Sequence, residues 1–190
     1  MAREGFAEFG FAGTSLAELA RRVGLTKASL LHHFESKEAL YLSALAQTVA
    51  DLGRLVIEAG FDRGSHLERL DRLGETVVDY LGEHPAAASL LLSELIGRGP
   101  FGQGDGAAQV DATLRAVATF LQSGMDAGVF AEQSPQQLTM SIVGVHLVYF
   151  AAREVTRSFV GEDPVAPAML ETRRRAVREQ VRALCLGSGV

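Results

Sequence analysis

The chain has 190 residues, 47% of them hydrophobic, enough for a small N-terminal unit and one larger core. A formal net charge of −5 argues against a protein that binds polyanions regardless of sequence, and a single cysteine, Cys185, excludes a disulfide framework within the chain and any multi-thiol metal site. Cys185 reads instead as a small packing residue. No charged leader with an apolar run and a cleavage site opens the chain, so the expected location is cytoplasmic.

The charge is unevenly spread. Residues 1 to 50 carry five Lys/Arg against five Asp/Glu, whereas residues 51 to 190 carry 13 against 18 and hold the whole negative balance. Within the neutral part, Leu16, Leu19, Ala20 and Val23 recur at i, i+3, i+4, i+7, the stripe of a helix with Thr14 and Ser15 as capping candidates. Gly24 supplies the left-handed residue that ends it, Leu25 covers the corner, and Thr26 caps a second short helix in which Leu30 and Phe34 form the buried side. The other side presents Lys27, Ala28, Ser29, Leu31, His32 and His33. A short helix with small and cationic residues at its exposed N-terminal end fits the major groove, where side chains must reach base edges without the backbone being held off. The two lysines of the chain, Lys27 and Lys37, both fall in this unit. Lys37 opens a third helix at Ser36-Lys37-Glu38-Ala39-Leu40, where free N–H groups and the helix dipole favour a phosphate. His32 and His33 do not read as a metal pair, because adjacent helical side chains diverge by about 100°.

The run Gly10-Phe11-(x)2-Thr14-Ser15, then Leu19-Ala20-Arg21-Arg22-Val23-Gly24-Leu25-Thr26-Lys27, then Leu30-Leu31-His32-His33-Phe34-(x)-Ser36-Lys37-Glu38-Ala39-Leu40 resembles the TetR/AcrR family of one-component transcriptional regulators. The resemblance covers about residues 1 to 45. It implies a homodimer that binds double-stranded operator DNA through the second and third helices and holds a ligand in the remaining ones. Carried over position by position, Lys27, Ala28, Ser29 and Leu31 stand where the family reads bases, and Ser15, His32, His33 and Lys37 where it mostly touches phosphates. With Thr26 at the helix start, these form the candidate DNA-contacting set. Leu31 replaces a usual tyrosine, which leaves only apolar contact there, for instance to a thymine methyl. Only Ala2 to Phe9 precedes Gly10 where the family has two or three more turns, so either Met1 is not the natural start or the first helix is short.

The remaining residues read as helices broken at glycine clusters. Ser36 to about Glu58 is one long helix that links the two parts, followed by a loop over Gly60 to Ser65. Leu67, Leu70, Leu73, Val77 and Leu81 mark a helix from His66 to His84-Pro85, and Ala86 to Ile96 forms a short leucine-rich one with Pro85 in its first turn. Gly97 to Gly106 is a loop with five glycines, a plausible gate. Val110, Leu114, Val117, Leu121 and Met125 give another stripe, closed by Gly128. Leu138 to Ala152 is apolar on nearly all sides, too short for a membrane span and followed by Arg153, Glu154 and Arg157, so it packs in its own subunit on one face and against a partner on the other. With a last helix, about Ala166 to Leu186, it makes the four-helix dimer seam that the resemblance implies.

The expected architecture is therefore all-α, with a three-helix helix-turn-helix headpiece over residues 1–45 and a helical effector-binding and dimerisation domain over residues 46–190. Tyr80, Glu94, Phe120, Met140, His146, Tyr149 and Phe150 are the polar or aromatic side chains on otherwise apolar helices and the candidate contacts for a small apolar or aromatic effector. Gly97-Arg98-Gly99-Pro100-Phe101-Gly102 has the letters of a dinucleotide loop but no strand before it, and Arg173-Arg174-Arg175-Ala176-Val177-Arg178 reads as a solvated face or dimer rim flanked by Glu171 and Glu179. No nucleophile with a base, metal cluster or phosphate loop supports an enzyme, and no cofactor is expected. An architectural DNA-binding protein fits poorly with the net negative charge. The expected function is a repressor that is released from a palindromic operator by its ligand.

Overall fold

In the computed structural model, which describes residues 2–58, 63–97 and 105–187, ten helices and no strand are present among the described residues. The N-terminal unit consists of α1 (Ala2–Gly13), α2 (Leu16–Arg22), α3 (Lys27–His33) and the first turns of α4 (Lys37–Glu58). The body consists of α5 (His66–Glu83), α6 (Pro85–Leu95), α7 (Asp105–Asp126), α8 (Pro135–Ala151), α9 (Arg153–Val160) and α10 (Pro167–Leu186).

α1 is interrupted at Gly10, whose φ of 68° and ψ of 173° are not helical, so the chain leaves its first helix after Phe9 and resumes for one short turn. Thr14, read as a cap, is instead 4% exposed, and its hydroxyl donates to the Gly10 carbonyl at 2.6 Å, which fixes the chain after the kink. Ser15 stands at the N-cap of α2 without a capping bond from its side chain. A Cβ on buried Gly5 would stand 2.2 Å from Leu19 Cδ2, so the Leu19 side chain of α2 fills the space that this glycine leaves on α1. Val23, expected in the buried stripe, is 38% exposed because α2 ends at Arg22 and Gly24 (φ 71°) turns the chain away.

Two cores result. Phe6, Leu19, Leu30, Leu40, Tyr41 and Leu45 fill the headpiece, with Phe6 and Phe11 edge-on to Tyr41. The body core is built on Val78, Leu81, Leu121, Phe150, Val177 and Cys185 among others. Cys185 is fully buried, and burial pushes its thiol up to about 12. The parts, expected to join mainly through the long helix, α4, are also joined through α6: its Leu90 is buried in the headpiece core, Leu91 packs against both cores, and α6 lies along α1. Arg3 adds a polar clasp, donating to Asp51 of α4 at 2.7 Å and to the Tyr80 hydroxyl of α5 at 3.2 Å.

In the body, Ser65 and Glu68 form a reciprocal capping box that starts α5, and Pro85 opens α6. α5 lies along α10, and α8 is flanked by α6, α7 and α10. The residues after α8 form a separate helix where the sequence showed only a polar end: α9 is bent by 80° from α8, Gly161 (φ 82°) ends it, and Asp163 accepts from both Arg153 and Arg157. No single described helix is long and apolar enough to cross a membrane. Of the loops read from glycines, residues 60–62 and 98–104, including the expected gate and the dinucleotide-like letters, lie outside the described residues, and Asp105 and Gly106 already belong to α7.

Candidate DNA-reading surface and effector cavity

The reading unit owes its shape to backbone chemistry. The Leu25 N–H bonds to the Ala20 carbonyl at 2.9 Å across the Gly24 turn, and the Thr26 hydroxyl accepts from Ser29 N at 3.0 Å, starting α3. Ser29 Oγ lies 2.9 Å from Thr26 Oγ1, so these two candidate DNA contacts are first of all a cap and its partner. Leu30 is the buried residue of α3, and Lys27, Ala28, Leu31, His32 and His33 are all exposed. The His32 and His33 rings are 5.7 Å apart at 68°, and no group of metal-holding side chains occurs among the described residues.

The cations of the headpiece divide sharply. Arg21 and Arg22 bind Glu18, whose carboxyl their hydrogen bonds hold down to about 2, and Arg22 also binds Glu8 at 2.8 Å. Arg3 is committed to Asp51. Lys37, expected on phosphate, points inward: Nζ donates to the carbonyls of Ala12 at 3.2 Å and Thr14 at 3.0 Å and stands 4.7 Å from the Phe11 ring. Lys27 is the one Lys or Arg of the headpiece with no ion pair or hydrogen bond among the described residues, and it opens the exposed helix.

The effector candidates do not converge. Glu94 faces Tyr41: burial raises its carboxyl, and the Tyr41 hydroxyl beside it opposes that rise. Tyr80 belongs to the Arg3 clasp and packs against the His84 ring, tilted by 59° with centroids 4.9 Å apart. Met140 is 49% exposed on the outer side of α8, and Phe150 is core, edge-on to Tyr149 at 5.0 Å. Phe120 and His146 do share a cavity of about 10 Å³, whose other walls are apolar: Leu70, Leu73 and Gly74 of α5, Val117 and Leu121 of α7, Ile142 of α8 and Val181 of α10. The sequence showed those walls as helical stripes without showing which stripes face each other. The cavity is about the size of one water, so a larger ligand enters only by displacing helices or side chains.

His146 is the polar group of this cavity. Its Nδ1 lies 2.8 Å from the Ile142 carbonyl, an acceptor only, which makes Nδ1 the protonated nitrogen. Nε2, on the Gly74 side, has no hydrogen bond, and burial pushes the ring's pKa down so that it stays neutral.

A second surface lies on the outer side of the body. Met140, Gly144 and Val148 follow one another at four-residue spacing along α8, Val148 being 54% exposed, and α9, bent by 80° from it, exposes Val155 (71%) and Phe159 (91%). On α10, Arg174, Arg178 and Arg182 are turned to Asp79, Glu75 and Asp71 of α5, so the arginine run is mainly a solvated face and lies beside the outer surface.

Residues 1–44 match the family model described as bacterial regulatory proteins, tetR family, and residues 47–181 match that of the tetracyclin repressor-like C-terminal domain. Among curated proteins, the HTH-type transcriptional regulator RutR of Escherichia coli strain K12 is 26% identical over 137 residues, which is 72% of this chain and 64% of that protein. The HTH-type transcriptional repressor AcnR of Corynebacterium diphtheriae is 35% identical over 77 residues, 38% of this chain and 40% of that protein. The match thus spans less than two thirds of RutR. Among solved structures, the TetR family regulator PfmR of Thermus thermophilus superposes with a TM-score of 0.75 at 23% identity, covering 100% of this chain and 97% of that one. AibR in complex with isovaleryl coenzyme A and operator DNA gives 0.73 at 16% identity, covering 97% and 94%. At these identities the superpositions establish the fold.

Proposed function

The chain belongs to the TetR family of bacterial regulatory proteins, and on that premise we propose that it is a cytoplasmic repressor that holds a palindromic operator as a homodimer and lets go when a small apolar molecule enters its body. The observation that carries this reading is the exposed face of α3, where Lys27 is left unpaired while the other lysine and the arginines of the headpiece are consumed internally. Lys27, Ala28 and Leu31 are the base readers, Thr26 and Ser29 fix the helix start they share, and Ser15, His32 and His33 contact phosphates. Lys37 acts on DNA indirectly, by holding α4 against the chain between α1 and α2.

The dimer forms through α8 and α10. Met140, Gly144 and Val148 offer an apolar, closely approachable strip, which sets the two α3 helices about 34–36 Å apart on the DNA. Residues 1–45 are the reading part and 46–190 the sensing part, coupled through α4 and, more directly, through α6 with its Leu90 in the headpiece core. Because the cavity has room for only about one water, a ligand favours a conformation in which helices have moved, and such differential affinity is what lets it oppose DNA binding. By linkage, effector and operator weaken each other by the same factor, typically about 1 to 3 kcal/mol.

Selection of DNA bound from a random pool tests the reading, with enrichment of a palindrome as the expected result. Enrichment of no sequence sinks the operator assignment. Once an effector is known, titrating it with and without saturating operator tests the coupling, and equal affinities in the two titrations refute it.

A further inference from the structure

The arginines of α10 are not treated alike. Arg174, Arg178 and Arg182 each meet an acid of α5, in surroundings open enough for water to share the load. Arg173 turns the other way, onto α8, and no ion pair includes it among the described residues. Its Nη2 donates to the Val145 carbonyl, its guanidinium lies 4.4 Å from the centre of the Tyr149 ring, and its Nε is buried with no acceptor. The α10 cation that has lost most water thus has no anion, whereas Arg175, also without an ion pair among the described residues, is exposed. Removing a charge from water without a counter-charge is unfavourable, and proteins rarely retain such an arrangement without use for it.

Two neighbours have the same deficit. The Tyr149 hydroxyl is buried with no partner, and His146, one turn earlier on α8 and within electrostatic reach of Arg173, has its Nε2 unpartnered at the wall of the apolar cavity. Arg173 and Tyr149 provide two donors, Nε–H and O–H, with no acceptor between them. A carboxylate answers both: it is planar, carries two acceptor oxygens and a single charge, and pairs with a guanidinium edge. The walls beyond His146 are Leu70, Leu73, Phe120 and Ile142, which suit an apolar tail.

We infer that the body binds an apolar monocarboxylic acid, its carboxylate on Arg173 and Tyr149 and its tail in the cavity past His146. This rests on the proposed effector site and specifies its ligand, which the sequence suggested only as apolar or aromatic. Arg173 is the charge anchor and Tyr149 the second donor.

The test is calorimetric titration of the whole protein with octanoate and benzoate, each against its uncharged amide. The expected result is that at least one acid binds about tenfold or more tightly than its amide and that Arg173→Gln abolishes the difference. Tyr149→Phe, which keeps the ring under the guanidinium, is expected to weaken the acid about fivefold and leave the amide unchanged, and it serves if Arg173→Gln does not fold. Arg178→Gln, on the solvent side, is expected to change neither. Acid and amide binding equally overturns the anion site while leaving an apolar effector in place. Failure of all four compounds to bind overturns this inference, and selection of an operator in the same preparation shows that the DNA-binding reading stands without it. An Arg173→Gln protein that binds acids as before but has lost its dimer assigns the anion to the partner subunit and also overturns the inference.

Discussion

The exposed faces of α3 and α8 differ in what is able to cover them. On α3 the exposed residues are Lys27, Ala28, Leu31, His32 and His33, a face that water solvates and a polyanion groove improves. On α8 they are Met140 and Val148 with Gly144 between, a face that water covers badly and that only another apolar surface improves. The headpiece reaches its state by spending its other cations internally on Glu18, Glu8, Asp51 and backbone carbonyls. Exposure alone therefore says little about function, and the chemistry of what remains unpaired says much more.

Charging the α8 face breaks this contrast with the largest effect. Val148→Asp is expected to give a monomer in sedimentation at micromolar concentration with its helical circular dichroism intact, because a carboxylate held in an apolar seam costs several kcal/mol (roughly 3 to 5). Val145→Asp is expected to differ: Val145 lies against Arg173, which supplies a counter-charge, so it should remain folded and retain the dimer better. A dimeric Val148→Asp places the seam elsewhere.

Next comes Lys37, a surface cation by sequence and a structural one by position. Lys37→Ala removes two charge-assisted bonds to backbone carbonyls and a ring contact, and is expected to destabilise the protein by about 1 to 3 kcal/mol in thermal denaturation without DNA. An unchanged melting temperature with weakened binding to all DNA sequences restores it to the phosphate-contacting group.

These two residues also mark where the sequence was legible. Periodicity, a glycine at the turn and a capping threonine identify the headpiece, because those signals act within one turn of helix and are printed locally. Val148 and its neighbours are legible as a helix apolar on all sides, which requires two coverings. Lys37 was not legible, because its acceptors, the carbonyls of Ala12 and Thr14, become available only through the kink at Gly10. The surroundings of Glu94 and Tyr80 were not legible for the same reason: the sequence shows a polar residue on an apolar helix and cannot show that α6 and α5 meet the headpiece there. α9 escaped notice because its anchoring carboxylate, Asp163, lies outside it and pairs with Arg153 and Arg157 only after an 80° bend.

Lys27 sharpens the α3 side of the comparison. Lys27→Ala is expected to cost about 1 to 3 kcal/mol on the selected operator and less on unrelated DNA, leaving thermal stability unchanged, since no bond among the described residues uses this side chain. The mirror-image result, lower stability with full affinity, makes it structural and moves base reading to other residues of α3.

The smallest expected effect concerns Glu94, which belongs to neither open face and sits where the headpiece and body cores meet. Its two carboxyl oxygens are buried without a hydrogen bond, and burial raises its pKa, with the Tyr41 hydroxyl opposing. An acid with a raised pKa in the folded state binds its proton more tightly there than in the unfolded chain. Its contribution to stability is therefore complete below the ordinary glutamate value of about 4.3 and is lost as the pH rises through the raised folded value. Glu94→Gln keeps the shape and carries no charge at any pH. It is expected to melt with the parent protein in acid and slightly above it at neutral and higher pH, the gap opening just above the ordinary carboxylate range. Melting curves from pH 4 to 8 decide this. A gap of constant size shows that the Tyr41 hydroxyl cancels the effect of burial, and one that closes as the pH rises shows that Tyr41 stabilises the carboxylate more than burial disfavours it.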